Sequence, residues 1–405
     1  MTIVEFFDKN ALDNIVSSLV CECDKVIFVG DNSKQIYKAL DDYKEVLARH
    51  GAFPELDYMT ANKNQLTHIL SVLERIVLEN DDIVFDLTGG DELFLVGAGI
   101  IMGKFPDTVS CHRYNVRTDV LADCDLDGKI CSSRHIKLSC NDCVTLYGGK
   151  NMSVNDWSFD SNFVKDIYSL WEITKKYGRL WNVHATCLGT ICVNFPSSSP
   201  LILSFDRLEA KEVLERLGYE IAIDDRILRE LEKYGLIKSL RLTELDVSFE
   251  FKNEQIKKCL ITAGQVLELF VASRLVACSD EDNEPIYNDV KVGMVLDWEA
   301  DDEDTVIRTT NEIDVLAMRG FVPVFISCKN GAFDVNELYK LSSVAAKFGF
   351  DYAKKVIVTT ELDSLGVRGE YLKERAKDMG IRIINNIDTM SLNEIKRVFK
   401  SLWTN

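Results

Sequence analysis

Short β-branched runs alternate with helical segments along the first 145 residues, and this alternation constrains the fold more than any other feature. Strands are predicted at residues 25–30, 56–60 and 83–87. A helix is predicted after each strand, because apolar residues then recur at three- and four-residue spacing. This order is typical of an α/β fold with a parallel, doubly wound sheet, in which ligands bind at the carboxyl ends of the strands.

Two of these strand ends carry loops suited to a phosphate or ribose ligand. One follows the strand at residues 25–30, and the other has the sequence DLTGG at residues 86–90. Neither contains GxGxxG or GxxxxGK[ST], so a standard dinucleotide site or Walker loop is not indicated. Their N–H groups and hydroxyls favour an anion at a helix N-terminus, whereas the simpler alternative is that the glycines only turn the chain. The candidate ligand residues are Gly30, Asp31, Asn32, Ser33, Gln35, Thr88, Gly89 and Gly90.

The middle of the chain reads as a mostly helical connector. Residues 151–258 are predicted to be helical, apart from one strand at residues 240–251. Two helices before a strand resemble a small winged-helix arrangement. The helices are acidic, which argues against DNA reading and favours a connector or dimerisation module.

The last 150 residues form a second mixed unit, with a helix and three strands predicted over residues 262–329. Alternate residues of a strand share a face, so Glu312 and Asp314 are expected on one face. Ile313 and Val315 are then expected together in the core.

The next strand is predicted to place Ser327 and Lys329 on one face, with Cys328 on the other. A turn near residues 319–320 makes the two strands neighbours, so the carboxylates and the lysine converge. Glu268, on the preceding helix, adds a carboxylate.

Phosphodiester cleavage uses such a group of side chains. Carboxylates hold Mg²⁺ or Mn²⁺, the ion lowers the pKa of a bound water, and a lysine stabilises the phosphate. The simpler alternative is an exposed acidic edge beside an unrelated surface lysine.

The two ends of the chain resemble known domains. NEIDVL and FISCKN resemble the PD-(D/E)xK nucleases, and DLTGG after a strand is similar to CARF sensor domains. With the CARF-like part first and the nuclease-like part last, the chain resembles CRISPR-associated effectors that join a CARF domain to this nuclease domain. The resemblance implies an α/β protein with a Rossmann-like CARF domain at residues 1–148 and a restriction-endonuclease-like domain at residues 256–405. A helical, winged-helix-like connector at residues 149–255 lies between them.

The resemblance also implies a function in type III CRISPR defence. A CARF homodimer binds one cyclic oligoadenylate, by family likeness cyclic tetra-adenylate, across its two-fold axis and activates the nuclease domains. The implied substrates are single-stranded RNA, single-stranded DNA or both. The implied catalytic residues are Glu268, Glu312, Asp314, Ser327 and Lys329, with Mn²⁺ or Mg²⁺ held by Asp314, Glu268 and the backbone carbonyl of Cys328.

The chain departs from the family patterns at two places. Ser327 stands where the motif has an acidic residue, and serine is a poorer metal ligand. The helix after DLTGG begins with Asp91 and Glu92, where relatives often have Thr-Lys, so a phosphate directly on that helix is disfavoured.

Two other functions remain open from the sequence. Arg179 and His184 have the Rx4H spacing of HEPN ribonucleases, which use no metal and also accompany CARF domains. The second of these functions is that of a non-catalytic nucleotide-sensing regulator. Ser327 favours it, because serine is a poorer metal ligand than the acidic residue of the motif.

Composition limits the partners and the compartment. The chain has 47 basic and 65 acidic residues, a net charge of −18, which excludes a generally basic nucleic-acid coat. The N-terminus lacks a basic stretch and the longest apolar run is short, so a cytoplasmic protein without membrane contact is expected.

The cysteines are expected to be free thiols in a reducing compartment. The segment from Cys124 to Cys143 has one CxxC pair and could hold zinc, although a structural site usually has two close pairs. The acidic run at residues 299–304 is expected to be solvated surface.

Overall fold

The structure is a computed structural model that describes residues 1–124, 128–153, 157–197, 199–219, 223–298 and 310–403. The acidic run at residues 299–304, expected to be solvated, and the first part of the strand predicted from residue 306 lie outside these ranges.

The N-terminal sheet has six strands in the order β3-β2-β1-β4-β5-β6, parallel except for β6. The strands are β1 (Thr2–Phe6), β2 (Lys25–Gly30), β3 (Glu55–Thr60), β4 (Ile83–Asp86), β5 (Val109–Asn115) and β6 (Val120–Asp123). The helices of this part are α1 (Val16–Val20), α2 (Ser33–Arg49), α3 (Leu66–Glu79), α4 (Glu92–Lys104) and α5 (Cys140–Leu146). The α/β prediction is confirmed, and the three predicted strands correspond to β2, β3 and β4.

The strand order reverses beside β1. Its neighbours are β2 on one side and β4 on the other, so the loops that follow these three strands meet at one edge of the sheet. This edge is the switch point at which α/β sheets bind ligands. Strand β1 was not predicted from the sequence, and neither was the loop after it, which lies at the centre of this edge.

The middle segment contains a three-stranded antiparallel sheet in the order β8-β10-β9. Its elements are α6 (Ser161–Tyr177), α7 (Arg179–Asn194), β8 (Ile202–Asp206), α8 (Arg207–Arg216), α9 (Asp225–Lys233), β9 (Ile237–Leu242), β10 (Asp246–Phe251) and α10 (Glu254–Ile261). From α7 onward the order helix, strand, two helices and a hairpin is that of a winged helix. The single strand predicted at residues 240–251 is wrong: the Thr243 hydroxyl accepts the N–H of Asp246 and closes a turn between β9 and β10.

The C-terminal sheet also has six strands, in the order β15-β14-β13-β12-β11-β7. Its strands are β7 (Lys150–Asn151), β11 (Asp289–Asp297), β12 (Thr310–Arg319), β13 (Val322–Lys329), β14 (Lys354–Thr359) and β15 (Ile381–Ile384). Its helices are α11 (Gln265–Val276), α12 (Val335–Gly349), α13 (Val367–Asp378) and α14 (Leu392–Lys400). One core cluster joins the two large sheets, since it contains Phe28 of β2 together with Leu338 and Phe348 of α12.

The regular alternation predicted for β12 is wrong at one point. Val315 packs in the core on the α11 side of the sheet, whereas Ile313 packs on the α12 side. The partner strand changes face at the same level, because Gly293 adopts φ +63° between the Val292–Val315 and Met294–Ile313 pairs. This backbone region favours glycine, and a glycine there allows both strands to twist next to Asp314.

No helix in these described ranges has both the length and the apolar character needed to cross a membrane.

Candidate active site

Asp314 lies where β12 and β13 stop pairing regularly. The ladder runs from Arg319–Val322 to Val315–Ile326. Beyond it, Oδ2 of Asp314 accepts the backbone N–H of Cys328 at 2.6 Å, the hydroxyl of Ser327 at 3.1 Å and the ammonium of Lys329 at 3.3 Å. The predicted convergence of Asp314 and Lys329 is therefore present in the structure, and Ser327 contacts the same carboxylate.

Lys329 is held between two carboxylates. Its Nζ lies 3.3 Å from Asp314 and 3.2 Å from Glu337 on α12, and Glu337 also pairs with Lys340 at 3.0 Å. Burial lowers the pKa of Lys329, but Asp314 and Glu337 outweigh it, so the pKa is raised overall. Lys329 therefore remains an ammonium, which suits stabilisation of a phosphate rather than proton abstraction.

Glu268 approaches from α11, and Gln265 donates to its Oε2 at 3.0 Å. Burial, together with the smaller effects of the Asp314 and Glu312 charges, raises the pKa of Glu268 to about 8, although the charge of Lys329 acts in the opposite direction. The structure thus brings Glu268, Asp314 and Glu312 within electrostatic reach of one another.

This donor set fits a divalent cation in its chemistry. Carboxylate oxygens are the ligands of Mg²⁺ and Mn²⁺, and a cation would offset both the burial of Glu268 and the repulsion by Asp314 and Glu312 that raise its pKa. Within the described ranges no three His, Cys, Asp or Glu side chains are grouped closely enough to hold a metal by themselves. The metal ligands expected from the sequence are the carboxylates of Asp314 and Glu268 and the backbone carbonyl of Cys328, so only two of them are side chains of these types.

The site opens into a cleft of about 280 Å³ between the sheet and α12. Polar residues on both walls face it. They include Glu312, Asp314, Ser327, Lys329, Glu337 and Lys340. Glu337 and Lys340 were not predicted from the sequence, because no motif spacing relates α12 to β13. Only the packing of α12 on the sheet brings these two residues to the site.

The loop after β2, the first of the two candidate ligand loops, is accessible to solvent. Asp31, Asn32, Ser33 and Gln35 are exposed at the carboxyl end of β2, next to the ladder residue Gly30. The side chain of Asn32 caps α2 by accepting two backbone N–H groups.

The DLTGG loop uses much of its polar capacity internally. The Thr88 hydroxyl donates to Asp86 at 2.6 Å and accepts the N–H of Tyr114 at 2.8 Å. The N–H of Gly90 donates to Asp8 at 3.2 Å, and a Cβ on Gly89 would lie 2.9 Å from that of Asp13. The two glycines therefore let this loop pack closely on the loop after β1.

The Rx4H pair is not assembled into a common site. Arg179 is exposed and pairs with Glu361 at 2.6 Å. His184 is 1% exposed in the core, where its Nδ1 accepts the N–H of Asp224.

All twelve cysteines lie in described segments and are free thiols. Cys140 and Cys143 of the CxxC pair are buried, and their thiols donate to the carbonyls of Leu316 and Phe348. Cys124 is exposed. In this arrangement the CxxC pair packs α5 against the C-terminal sheet.

No protein-family model matches the chain, and no curated protein matches its sequence. Solved structures do share its fold over the full length. Protein VC1899 from Vibrio cholerae superposes with a TM-score of 0.72 at 16% identity, covering 100% of this chain and 98% of that one. Can2 from Sulfobacillus thermosulfidooxidans, solved in complex with cyclic tetra-adenylate, gives 0.67 at 14% identity, covering 100% and 99%.

Proposed function

We propose that the protein is a metal-dependent nuclease of type III CRISPR defence, activated by a cyclic oligoadenylate and acting on single-stranded RNA, single-stranded DNA or both. The observation that carries the proposal is the site around Asp314, where Lys329 donates to the Asp314 carboxylate and Glu268 lies within electrostatic reach of both. The fold shared with Can2, which was solved with cyclic tetra-adenylate, supports the activator.

Each residue of the site has a role in this proposal. Glu268, Asp314 and the Cys328 carbonyl would hold Mn²⁺ or Mg²⁺, which activates water and neutralises phosphate charge when bound. Lys329 stabilises charge on the phosphate, and Glu337 orients its ammonium. Glu312 adds negative potential that favours a cation.

A homodimer is part of the proposal, and α4 offers a surface for it. Val96 and Ile100 are 51% and 45% exposed on one face of this helix. Nothing lies within 4 Å of a Cβ built on Gly99 or Gly103 on the same face, so another helix can approach closely. A two-fold contact there would make an isologous homodimer, the symmetry that fits one ring bound by two copies of the chain.

The test is a cleavage assay on labelled single-stranded RNA, single-stranded DNA and plasmid. Mn²⁺ or Mg²⁺ is supplied with or without cyclic oligoadenylates of several ring sizes. Cleavage that requires both ligand and metal is expected in the wild type and in Asp378→Asn, a control at an exposed acid. Asp314→Asn and Lys329→Met should bind the ring and lose cleavage.

Other outcomes would replace the proposal. Full activity in Asp314→Asn rejects the site. EDTA-resistant RNA cleavage that is lost in His184→Ala selects the HEPN alternative. Ring binding without any cleavage selects the non-catalytic regulator, which Ser327 at the usual acidic position favours.

A further inference from the structure

Helix α7 of the middle segment contacts the turn that carries Lys329. Nδ2 of Asn182 donates to the backbone carbonyl of Asn330 at 2.9 Å. In return, Nδ2 of Asn330 donates to Oδ1 of Asn182 at 3.0 Å. Because Asn330 directly follows Lys329, this reciprocal pair fixes both the backbone and the side chain next to the lysine.

The same turn is also held from its own sheet. The Thr359 hydroxyl on β14 donates to the carbonyl of Gly331 at 2.8 Å. The N–H of Gly331 donates to the carbonyl of Lys329 at 3.0 Å, and Gly331 adopts φ +130°. The turn is thus anchored by its own sheet on one side and by a helix of the middle segment on the other.

We propose that Asn182 is a positioning residue for Lys329, an inference that rests on the proposed nuclease function. The ammonium of Lys329 lies 3.3 Å from Asp314 and 3.2 Å from Glu337, so a small shift of the turn changes both contacts. A misplacement of about 1 Å can cost about 100-fold in rate. The middle segment then takes part in catalysis and is more than a spacer between sensor and nuclease.

The test compares kcat and KM of activated cleavage in single and double variants. Asn182→Ala is expected to lower kcat by roughly 10- to 100-fold, with KM and the Mn²⁺ requirement within about twofold of wild type. Asn182→Asp keeps the acceptor for Asn330 but sets a carboxylate oxygen against the Asn330 carbonyl, so it should not preserve the wild-type kcat. The losses of Asn182→Ala and Asn330→Ala should not multiply in the double variant, because the two side chains share a hydrogen bond and hold the same turn.

Glu361→Gln is the matched control. It removes a second polar contact of α7 with the C-terminal half, the ion pair between Glu361 and Arg179, and should keep the wild-type kcat. Unchanged kcat in Asn182→Ala, losses that multiply in the double variant, or an equal loss in Glu361→Gln would overturn the inference.

Hydrogen exchange of the peptide at residues 322–334 tests the contact without any cleavage. Exchange should be faster in Asn182→Ala and unchanged in Glu361→Gln. If the wild type cleaves nothing but this exchange difference appears, the proposed function fails while the positioning contact stands. If the wild type cleaves and the difference is absent, the positioning inference alone fails.

Discussion

The hydroxyl of Tyr352 donates to Oδ1 of Asp13 at 2.8 Å, across the boundary between the two large sheets. Asp13 follows β1 and packs against Gly89 of the DLTGG loop. Tyr352 follows α12, the helix that carries Glu337 to Lys329. One carboxylate therefore touches both the candidate ligand edge and the half of the molecule that contains the candidate active site.

Tyr352→Phe is expected to weaken activation by the ring while leaving ring affinity within about twofold. The hydrogen bond contributes about 1 kcal/mol, so the ratio of activated to basal cleavage should fall roughly fivefold. The measurement is this ratio at saturating ligand. Tyr339→Phe is the control, since its hydroxyl contacts Arg375 within the C-terminal half. An unchanged ratio in Tyr352→Phe would show that this contact carries no coupling.

Ser327→Asp is expected to strengthen Mn²⁺ binding by about tenfold, because it adds a carboxylate beside Asp314. Without metal the new charge lies next to another carboxylate, so the free energy of unfolding should fall by about 1–3 kcal/mol. Calorimetric titration with Mn²⁺ measures the first effect and urea unfolding in EDTA the second. Ser327→Ala is the control for loss of the hydroxyl. Equal Mn²⁺ affinity in Ser327→Asp and wild type would argue against a metal beside this position.

Sequence reasoning found the residues that lie on one strand or just after one. Ser327 and Lys329 share a face of β13 as predicted, because that strand is regular. The prediction for β12 failed at Ile313, where the twist depends on Gly293 in the neighbouring strand. A glycine inside an apolar strand was the available signal.

Two other features were missed for different reasons. The central strand β1 is interrupted by Glu5, which is buried and accepts the Ser18 hydroxyl, so its pattern does not read as an apolar strand. Glu337 reaches Lys329, and Asn182 reaches the adjacent Asn330, only through tertiary packing of α12 and α7, and no local pattern encodes that packing.

Ile100→Glu is expected to convert the proposed dimer into a monomer. The substitution places a charge at the exposed apolar face of α4, where a partner helix could bury it only at a large desolvation cost. Light scattering coupled to size exclusion measures the mass, and ring binding should weaken together with dimerisation. Val367→Glu is the control, because Val367 is 89% exposed on α13 in the other half of the chain. A dimer in Ile100→Glu would place the interface elsewhere.

His184 should make the protein less stable in mild acid. Burial lowers the pKa of His184 to about 4 in the folded protein, whereas a histidine in the unfolded chain has a pKa near 6.5. Because the unfolded state binds the proton more readily, protonation of His184 favours unfolding. The contribution of neutral His184 to stability is therefore fully present above about pH 6.5 and is lost as the pH falls towards 4. This residue alone should lower the free energy of unfolding by about 2 kcal/mol at pH 5 relative to pH 8.

Urea unfolding at both pH values, in wild type and in His184→Asn, isolates the effect. The variant should lack this part of the pH dependence, while His135→Asn, at an exposed histidine, should retain it. The same pH dependence in wild type and His184→Asn would show that His184 does not titrate in this way.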